Sequence, residues 1–270
     1  SNPSIKNAEI MMKHEKVKMI VATGGPGVVK SALSQGKKAI GAGAGNPPVV
    51  VDETADIEKA ARDIIAGCSF DNNLPCIAEK EVIVVDSVAD YLIFSMKKNN
   101  VYHLKDEEKI AELTSLVVDE NGKINRKFVG KDARVILKAI GIECEDDVRA
   151  IIVETERDHP FVVTELMMPI LPIVRVKDVD EAIELAVEVE HGNRHTAIMH
   201  SKNVDNLSKF AREIETTIFV KNAPSFAGLG VGGEGYPTFT IAGPTGEGLT
   251  SARSFARRRR CSLVGSFSIK

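Results

Sequence analysis

Tryptophan is absent from the 270 residues, and aromatic side chains make up only 5% of them. The core must therefore be largely aliphatic, which suits an α/β protein whose buried strands read as Val- and Ile-rich runs. No apolar stretch approaches the ~20 residues that a membrane-spanning helix requires. The opening segment SNPSIKNAEIMMKHEKVK has no signal-peptide core. Excess charge of one sign is missing too: 35 Lys and Arg against 38 Asp and Glu leave a formal net charge of −3. Neither nucleic acid nor an anionic membrane surface is expected as a partner. The four cysteines, Cys68, Cys76, Cys144 and Cys261, form no CxxC pair and have no histidine cluster beside them. No metal site and no disulfide framework are expected, and the thiols read as reduced and cytoplasmic.

Hydrophobic residues make up 43% of the chain, enough for one large domain or two smaller ones. Helix and strand patterns alternate from the start. A helix over Ile5–His14 precedes a strand over Val17–Ala22, a Gly-rich turn and a helix over Val28–Gln35. Strands follow near Lys38–Gly41 and at Pro48–Val51, then a helix over Asp56–Ser69 with Ile57, Ala60, Ala61, Ile64 and Ile65 on one face. Further strands are expected at Glu81–Val85, Val148–Glu154, Ile170–Arg175, Thr196–His200 and Thr217–Val220. Helices are expected at Ser87–Asn99, Glu107–Leu116, Lys131–Ile140, from Asp178 onward, and at Val204–Ile214. Asp178 and Glu181 have the spacing of a capping box. This rhythm predicts an α/β fold with a parallel sheet and flanking helices. The Gly- and Pro-rich stretch Asn222–Gly248 reads as a functional or interface loop, with a short end strand near Cys261–Phe267.

Three local features could carry chemistry. Thr23-Gly24-Gly25-Pro26-Gly27 lies between a strand and a helix, where backbone N–H groups favour phosphate, although on the motif alone a plain tight turn explains it more readily. In Gly41-Ala-Gly-Ala-Gly-Asn-Pro-Pro48, five small residues permit close approach of a ligand or of another backbone, or simply make a flexible loop. Cys76, in Asp71-Asn-Asn-Leu-Pro-Cys76, follows a helix end among loop-forming residues and is a better candidate for a reactive thiol than Cys68, which falls within the helix.

Taken in order, these features resemble the aldehyde dehydrogenase family, and most closely its CoA-acylating branch of propanediol and ethanolamine utilisation. The resemblance runs over essentially the whole chain and is most specific in VATGGPGVVKSAL, GKKAIGAGAGNPPVVVDETADIEKAA, NNLPCIAEKEV, TELMMPILPIVRV, EHGNRHTAIMHS and IAGPTGEGLTSARSF. It implies that Cys76 is the catalytic thiol. Thr23, Gly24 and Gly25 would lie by the pyrophosphate of NAD, with Gly41, Ala42 and Gly43 bordering the cofactor. Glu165 and Met167 would take the places of the Glu that binds the nicotinamide ribose and of the aromatic residue beside the ring. Hydrolytic members carry a glutamate where this chain has Gly41, and a glycine cannot act as a general base. The resemblance therefore implies coenzyme A as acyl acceptor and a short aliphatic aldehyde, propionaldehyde or acetaldehyde, as substrate.

The resemblance also implies a fragment. Residues 1–75 are expected to be the remainder of a cofactor domain, 76–248 a catalytic domain, and 249–270 a C-terminal segment with an oligomerisation strand. Expected partners are a second copy of the chain and microcompartment shell proteins, with the protein in the cytoplasm or inside a bacterial microcompartment. A hydrolytic or phosphorylating dehydrogenase, or a non-catalytic fragment serving assembly, are the rival readings. His191, Asn193, Arg194 and His195 border the active site in the resemblance, but also suit a helix C-terminus. The run Arg257–Arg260 reads as a solvated face or an intersubunit ion-pair row. Phe226, Phe239 and Ile241 are candidates for lining the aldehyde pocket.

Overall fold

The computed structural model describes residues 3–265. Helix α1 (Ile5–Lys13) starts at Ser4, whose hydroxyl accepts from the Asn7 N–H, and buries none of its residues. Strand β1 (Met19–Thr23) leads through the Gly-rich turn into helix α2 (Pro26–Leu33), and strand β2 (Lys38–Ala42) pairs with β1 in a two-stranded parallel sheet. The expected rhythm of this region is present, with α2 beginning earlier because Pro26 takes the first helical position.

Strand β3 (Pro48–Val51) opens the main sheet, and helix α3 (Ile57–Cys68) follows. Asp56 caps α3 by accepting from the Lys59 N–H, and the expected stripe Ile57, Ala60, Ala61, Ile64 and Ile65 is buried. The remaining elements are β4 (Glu81–Val85), α4 (Asp86–Met96), β5 (Val101–His103), α5 (Glu107–Val117), α6 (Ala133–Ala139), β6 (Ala150–Glu154), α7 (Pro160–Val163), β7 (Ile170–Val176), α8 (Val179–Val189), β8 (Thr196–His200), α9 (Val204–Ile214) and β9 (Ile218–Lys221). Seven strands form one parallel sheet in the order β5-β6-β7-β4-β3-β8-β9. Alternation along the strands sorts the core. Val49, Val51, Val82 and Val84 face α3 and α4, while Val50, Ile83, Ala197 and Met199 pack with α8 and α9. A third cluster gathers α5 and α6 over Ile151 and Val153.

Several expectations need correction. β5 and α7 were not expected; each is only three or four residues long. Asp178 caps α8 as expected, but Glu181 reaches back to the Lys177 N–H, one residue before the cap, so the reciprocal half of the box is shifted. Residues 1–75 were expected to stand together in the cofactor part. Within that span β1 and β2 pair with each other, and β3 pairs with β4 and β8 in the large sheet. No strand forms over Cys261–Gly265, and the rest of the expected end strand, Ser266 and Phe267, lies outside the described residues. Among the described residues no helix is long and apolar enough to cross a membrane.

Candidate active site

The main sheet and the two-stranded sheet meet over a cavity of about 820 Å³, and its walls come from five parts of the chain. Thr23, Gly24 and Gly25 supply one wall, Gly43 and Ala44 the floor between the sheets, and the loop from Phe70 to Ile77 carries Cys76 into it. Glu165 and Met167 approach from the segment before β7, and Leu229, Phe239 and Ile241 from the Gly-rich region.

The Gly-rich wall follows from local geometry. Gly24 has φ of 156° and donates its N–H to the Ala42 carbonyl at 3.0 Å, which turns the chain from β1 into α2. Gly25 is the N-cap of α2 without a side-chain cap bond, and the space beside Gly25 and Gly27 is open. An uncapped helix start fronted by small residues fits a pyrophosphate. These residues therefore fit the NAD expected from the sequence.

The cysteine loop is built in an unusual way. Asp71, Asn72 and Asn73 have φ of 46°, 51° and 64°, three successive non-glycine residues in the left-handed region. Such residues persist only where their surroundings hold them. Asn73 does the holding: its side-chain N–H groups reach the carbonyls of Cys68 and Glu79, both at 2.9 Å. Pro75 and Cys76 follow at the end of this turn. Cys76 is half-buried, whereas Cys68 is fully buried. Burial pushes the Cys76 thiol up, the Glu165 carboxylate adds to the rise, and Lys80 opposes both. Burial raises Glu165 in turn, while Lys80 and the Gly45 N–H pull it down. Cys68 is pushed up to about 12, chiefly by burial, which leaves it inert as a nucleophile.

Of two buried residues beside the cysteine, Glu79 escaped sequence reasoning, whereas His195 was expected to border the site. The Glu79 carboxylate is fully buried and accepts from the Ser225 N–H at 2.8 Å and the Ser225 hydroxyl at 2.7 Å. It thereby ties the cysteine loop to the turn at Ser225–Leu229 that brings Leu229 to the cavity. Burial pushes its carboxyl from 4.5 up to about 7. The folded chain then binds this proton more tightly than the unfolded chain does, so stability falls as pH rises through that window, by about 3 kcal/mol. Glu79→Gln keeps the acceptor and removes the titration. The stability difference between Glu79→Gln and wild type, from urea midpoints at pH about 4 and about 8, is expected to grow by about 3 kcal/mol in favour of the variant. A constant difference would rule out Glu79 as the source.

His195 is the second. Its ring is 2% exposed, and burial, then the Lys80 charge, lowers it to about 4, so it is neutral at physiological pH. Its Nδ1 meets the Thr196 hydroxyl at 2.8 Å, and Nε2 has no hydrogen-bond partner. A Cβ on Gly45 would come within 2.8 Å of the His195 ring and 3.1 Å of the Cys76 carbonyl oxygen, so Gly45 is what lets the imidazole pack against the cysteine loop. The run HGNRHTA signalled polarity here, not burial.

The structure thus brings Thr23, Gly24, Gly25, Gly43, Cys76, Glu165 and Met167 to one cavity, and leaves out Gly41 and Ala42. Both are buried at the end of β2, behind the Gly-rich wall. Gly41 donates its N–H to the Thr245 hydroxyl at 3.2 Å, and a Cβ there would come within 2.7 Å of Val29 Cγ1. Phe239 and Ile241 line the cavity as expected. Phe226 does not line it, but packs its ring 5.5 Å from Phe70, which does. Among the described residues no group of three His, Cys, Asp or Glu side chains could hold a metal.

Comparison with known proteins places this geometry. The profile of the aldehyde dehydrogenase family matches residues 4–235. The chain is 53% identical to a propanal dehydrogenase (CoA-propanoylating) of Citrobacter freundii, over all of this chain and 58% of that protein. A Rhodopseudomonas palustris propionaldehyde dehydrogenase, solved with bound CoA and an acylated cysteine, superposes with a TM-score of 0.95 at 64% identity, over 97% of this chain and 60% of that one. A propionaldehyde dehydrogenase from the fucose utilisation microcompartment of Clostridium phytofermentans gives 0.94 at 56% identity, over 100% of this chain and 62% of that one. The chain thus spans about three-fifths of the length of the relatives it matches.

Proposed function

We propose, because the chain belongs to the aldehyde dehydrogenase family, that it provides the nucleophile and the cofactor-facing walls of a CoA-acylating dehydrogenase acting on propionaldehyde or acetaldehyde with NAD. The observation that carries this reading is the convergence of Cys76, the Thr23–Gly25 turn and the Glu165–Met167 pair on one cavity. The likeness to a propionaldehyde dehydrogenase with an acylated cysteine and bound CoA supports it.

In this reading Cys76 loses its proton and its sulfur attacks the aldehyde carbonyl, forming a thiohemiacetal whose oxygen takes the displaced electron pair. The Cys76 N–H would be one of the donors that stabilise that oxyanion. NAD, when bound, supplies the two-electron acceptor that takes the hydride. Collapse of the oxyanion then leaves an acyl thioester on Cys76. The thiol of CoA attacks that thioester, the new S–C bond forms, and the Cys76 sulfur departs and regains a proton. One thioester replaces another, so the exchange is close to balanced and reversible. Met167 would give the nicotinamide an apolar contact without a ring to stack, and Glu165 would accept hydrogen bonds from the ribose hydroxyls.

A division between cofactor part and catalytic part falls, in this reading, at 43–47, where the chain passes from β2 to β3. Self-association and shell contacts inside a microcompartment remain part of the proposal, supported by the microcompartment origin of one relative.

Acceptor dependence is the test. NADH formation from NAD and propionaldehyde is expected to need CoA for turnover, with acyl-CoA as product. Equal rates with and without CoA, with free acid released, would assign the hydrolytic reaction instead.

A further inference from the structure

The cysteine loop rests on a buried cation. Lys80 is 3% exposed, and its Nζ donates to the Asn73 side-chain oxygen at 2.7 Å, the Asn73 carbonyl at 3.0 Å and the Pro75 carbonyl at 3.3 Å. Three oxygen acceptors call for the three N–H groups of an ammonium, since a neutral amine has two. All three belong to the turn that delivers Cys76, and Pro75 is the residue just before it. The same turn holds the three successive left-handed residues Asp71–Asn73. Because Asn73 also binds the carbonyls of Cys68 and Glu79, the Lys80–Asn73 pair is the node that fixes the loop to the end of α3 and the start of β4.

We propose that Lys80 is the positioning residue of the nucleophile: its ammonium locks the left-handed turn that presents Cys76 and supplies the positive charge that supports the Cys76 thiolate. This inference rests on the assignment of Cys76 as nucleophile and deepens it. The charged and titratable groups that bear on the site agree with it. Cys76 interacts with Glu165, which disfavours the thiolate, and with Lys80, which favours it. Burial lowers the Lys80 ammonium below its ordinary value, and Glu165, Cys68, Cys76 and Glu81 oppose that fall by favouring its charged form. His195 is held neutral in part by the same ammonium. Lys80 is thus the cation that Glu165, Glu79 and Glu81 face at this loop, with burial raising all three carboxyls.

The test is the pH dependence of Cys76 alkylation by iodoacetamide in the intact protein, read by mass spectrometry of the Cys76 peptide. Lys80→Gln keeps two N–H donors for the turn and removes the charge. It is expected to raise the alkylation midpoint by about one pH unit or more, and so to slow alkylation at neutral pH ~10-fold. Lys80→Arg, which restores the charge, is expected to return the midpoint toward wild type. A purely structural role would lower stability or reduce the rate equally at every pH. An unmoved midpoint in a folded Lys80→Gln protein therefore overturns the proposal. So does a folded Lys80→Arg protein whose midpoint is raised as far as that of Lys80→Gln or Lys80→Met, because the charge would then not be what supports the thiolate. Acyl transfer retained by Cys76→Ala would sink the nucleophile assignment instead, and leaves a different signature from an unmoved midpoint.

Discussion

Replacing Cys76 with alanine is expected to reduce acyl-CoA formation by ~10⁴-fold or more, because a nucleophile that carries the covalent intermediate has no partial substitute. The loss should be specific. Cys76 is half-buried, and the turn that carries it is held by Asn73 and Lys80, not by the thiol. Circular dichroism and the melting temperature should therefore change little. Incubation with propionaldehyde and NAD should leave no acyl adduct on the Cys76→Ala protein, whereas the wild-type protein should carry one on the Cys76 peptide. The neighbouring thiol provides the internal control. Cys68 is fully buried and pushed up to about 12, so Cys68→Ala should preserve the adduct. Acyl-CoA formation retained by Cys76→Ala, or lost on removal of Cys68 in a folded protein, would move the chemistry to another residue.

The parts of the molecule that were legible in the sequence are those with a local physical signature. β3, β4, β8 and α9 fall where the apolar runs and caps put them, because each is either a continuous aliphatic strand or a helix with its own N-cap. β5 and α7 were not legible. Val101–His103 is too short to show a period of two, and Pro160–Val163 is a single turn that relies on the His159 side chain for its cap. Sheet membership was also hidden. β2 and β3 are separated by only five residues and read alike as strands, yet they belong to different sheets, a choice made by long-range pairing with β1 and with β4 and β8.

The candidate site divides in the same way. Cys76 and the Thr23–Gly25 turn show themselves through loop and turn chemistry, and Glu165 with Met167 through a resemblance of sequence runs. Glu79 and Lys80 carry no pattern of their own, and His195 showed itself only through the polar run HGNRHTA. A charged residue after a cysteine ordinarily reads as surface, and only the folded chain shows that Glu79 and Lys80 are buried against Ser225 and Asn73. Gly41 is the converse case. Its lack of a carboxylate remains a fact of the sequence, but the structure turns its missing side chain toward Val29, away from the cavity. Introducing Gly41→Glu would thus strain the packing of α2 on β2 before it supplied any base.

Gly67→Ala is expected to be strongly destabilising, at about 3 kcal/mol or more. Gly67 sits in the last turn of α3, where alanine would ordinarily stabilise the helix by about 1 kcal/mol. Here the added Cβ would overlap both oxygens of the Glu79 carboxylate. That carboxylate cannot easily retreat, since it is fully buried and accepts two hydrogen bonds from Ser225. Moving it would strand the Ser225 N–H, detach the Ser225–Leu229 turn from the cysteine loop and disturb the wall that Leu229 gives the cavity. The cost of an overpacked site and of unpaired buried groups should exceed the gain in helix propensity, so the sign of the change is set by the contact with Glu79. Urea unfolding of Gly67→Ala alone and in the Glu79→Ala background measures that contact directly. The added methyl should be strongly destabilising in the first protein and close to neutral in the second, where the oxygens it meets are gone. Equal losses in both backgrounds would show that the helix end, not Glu79, rejects the methyl.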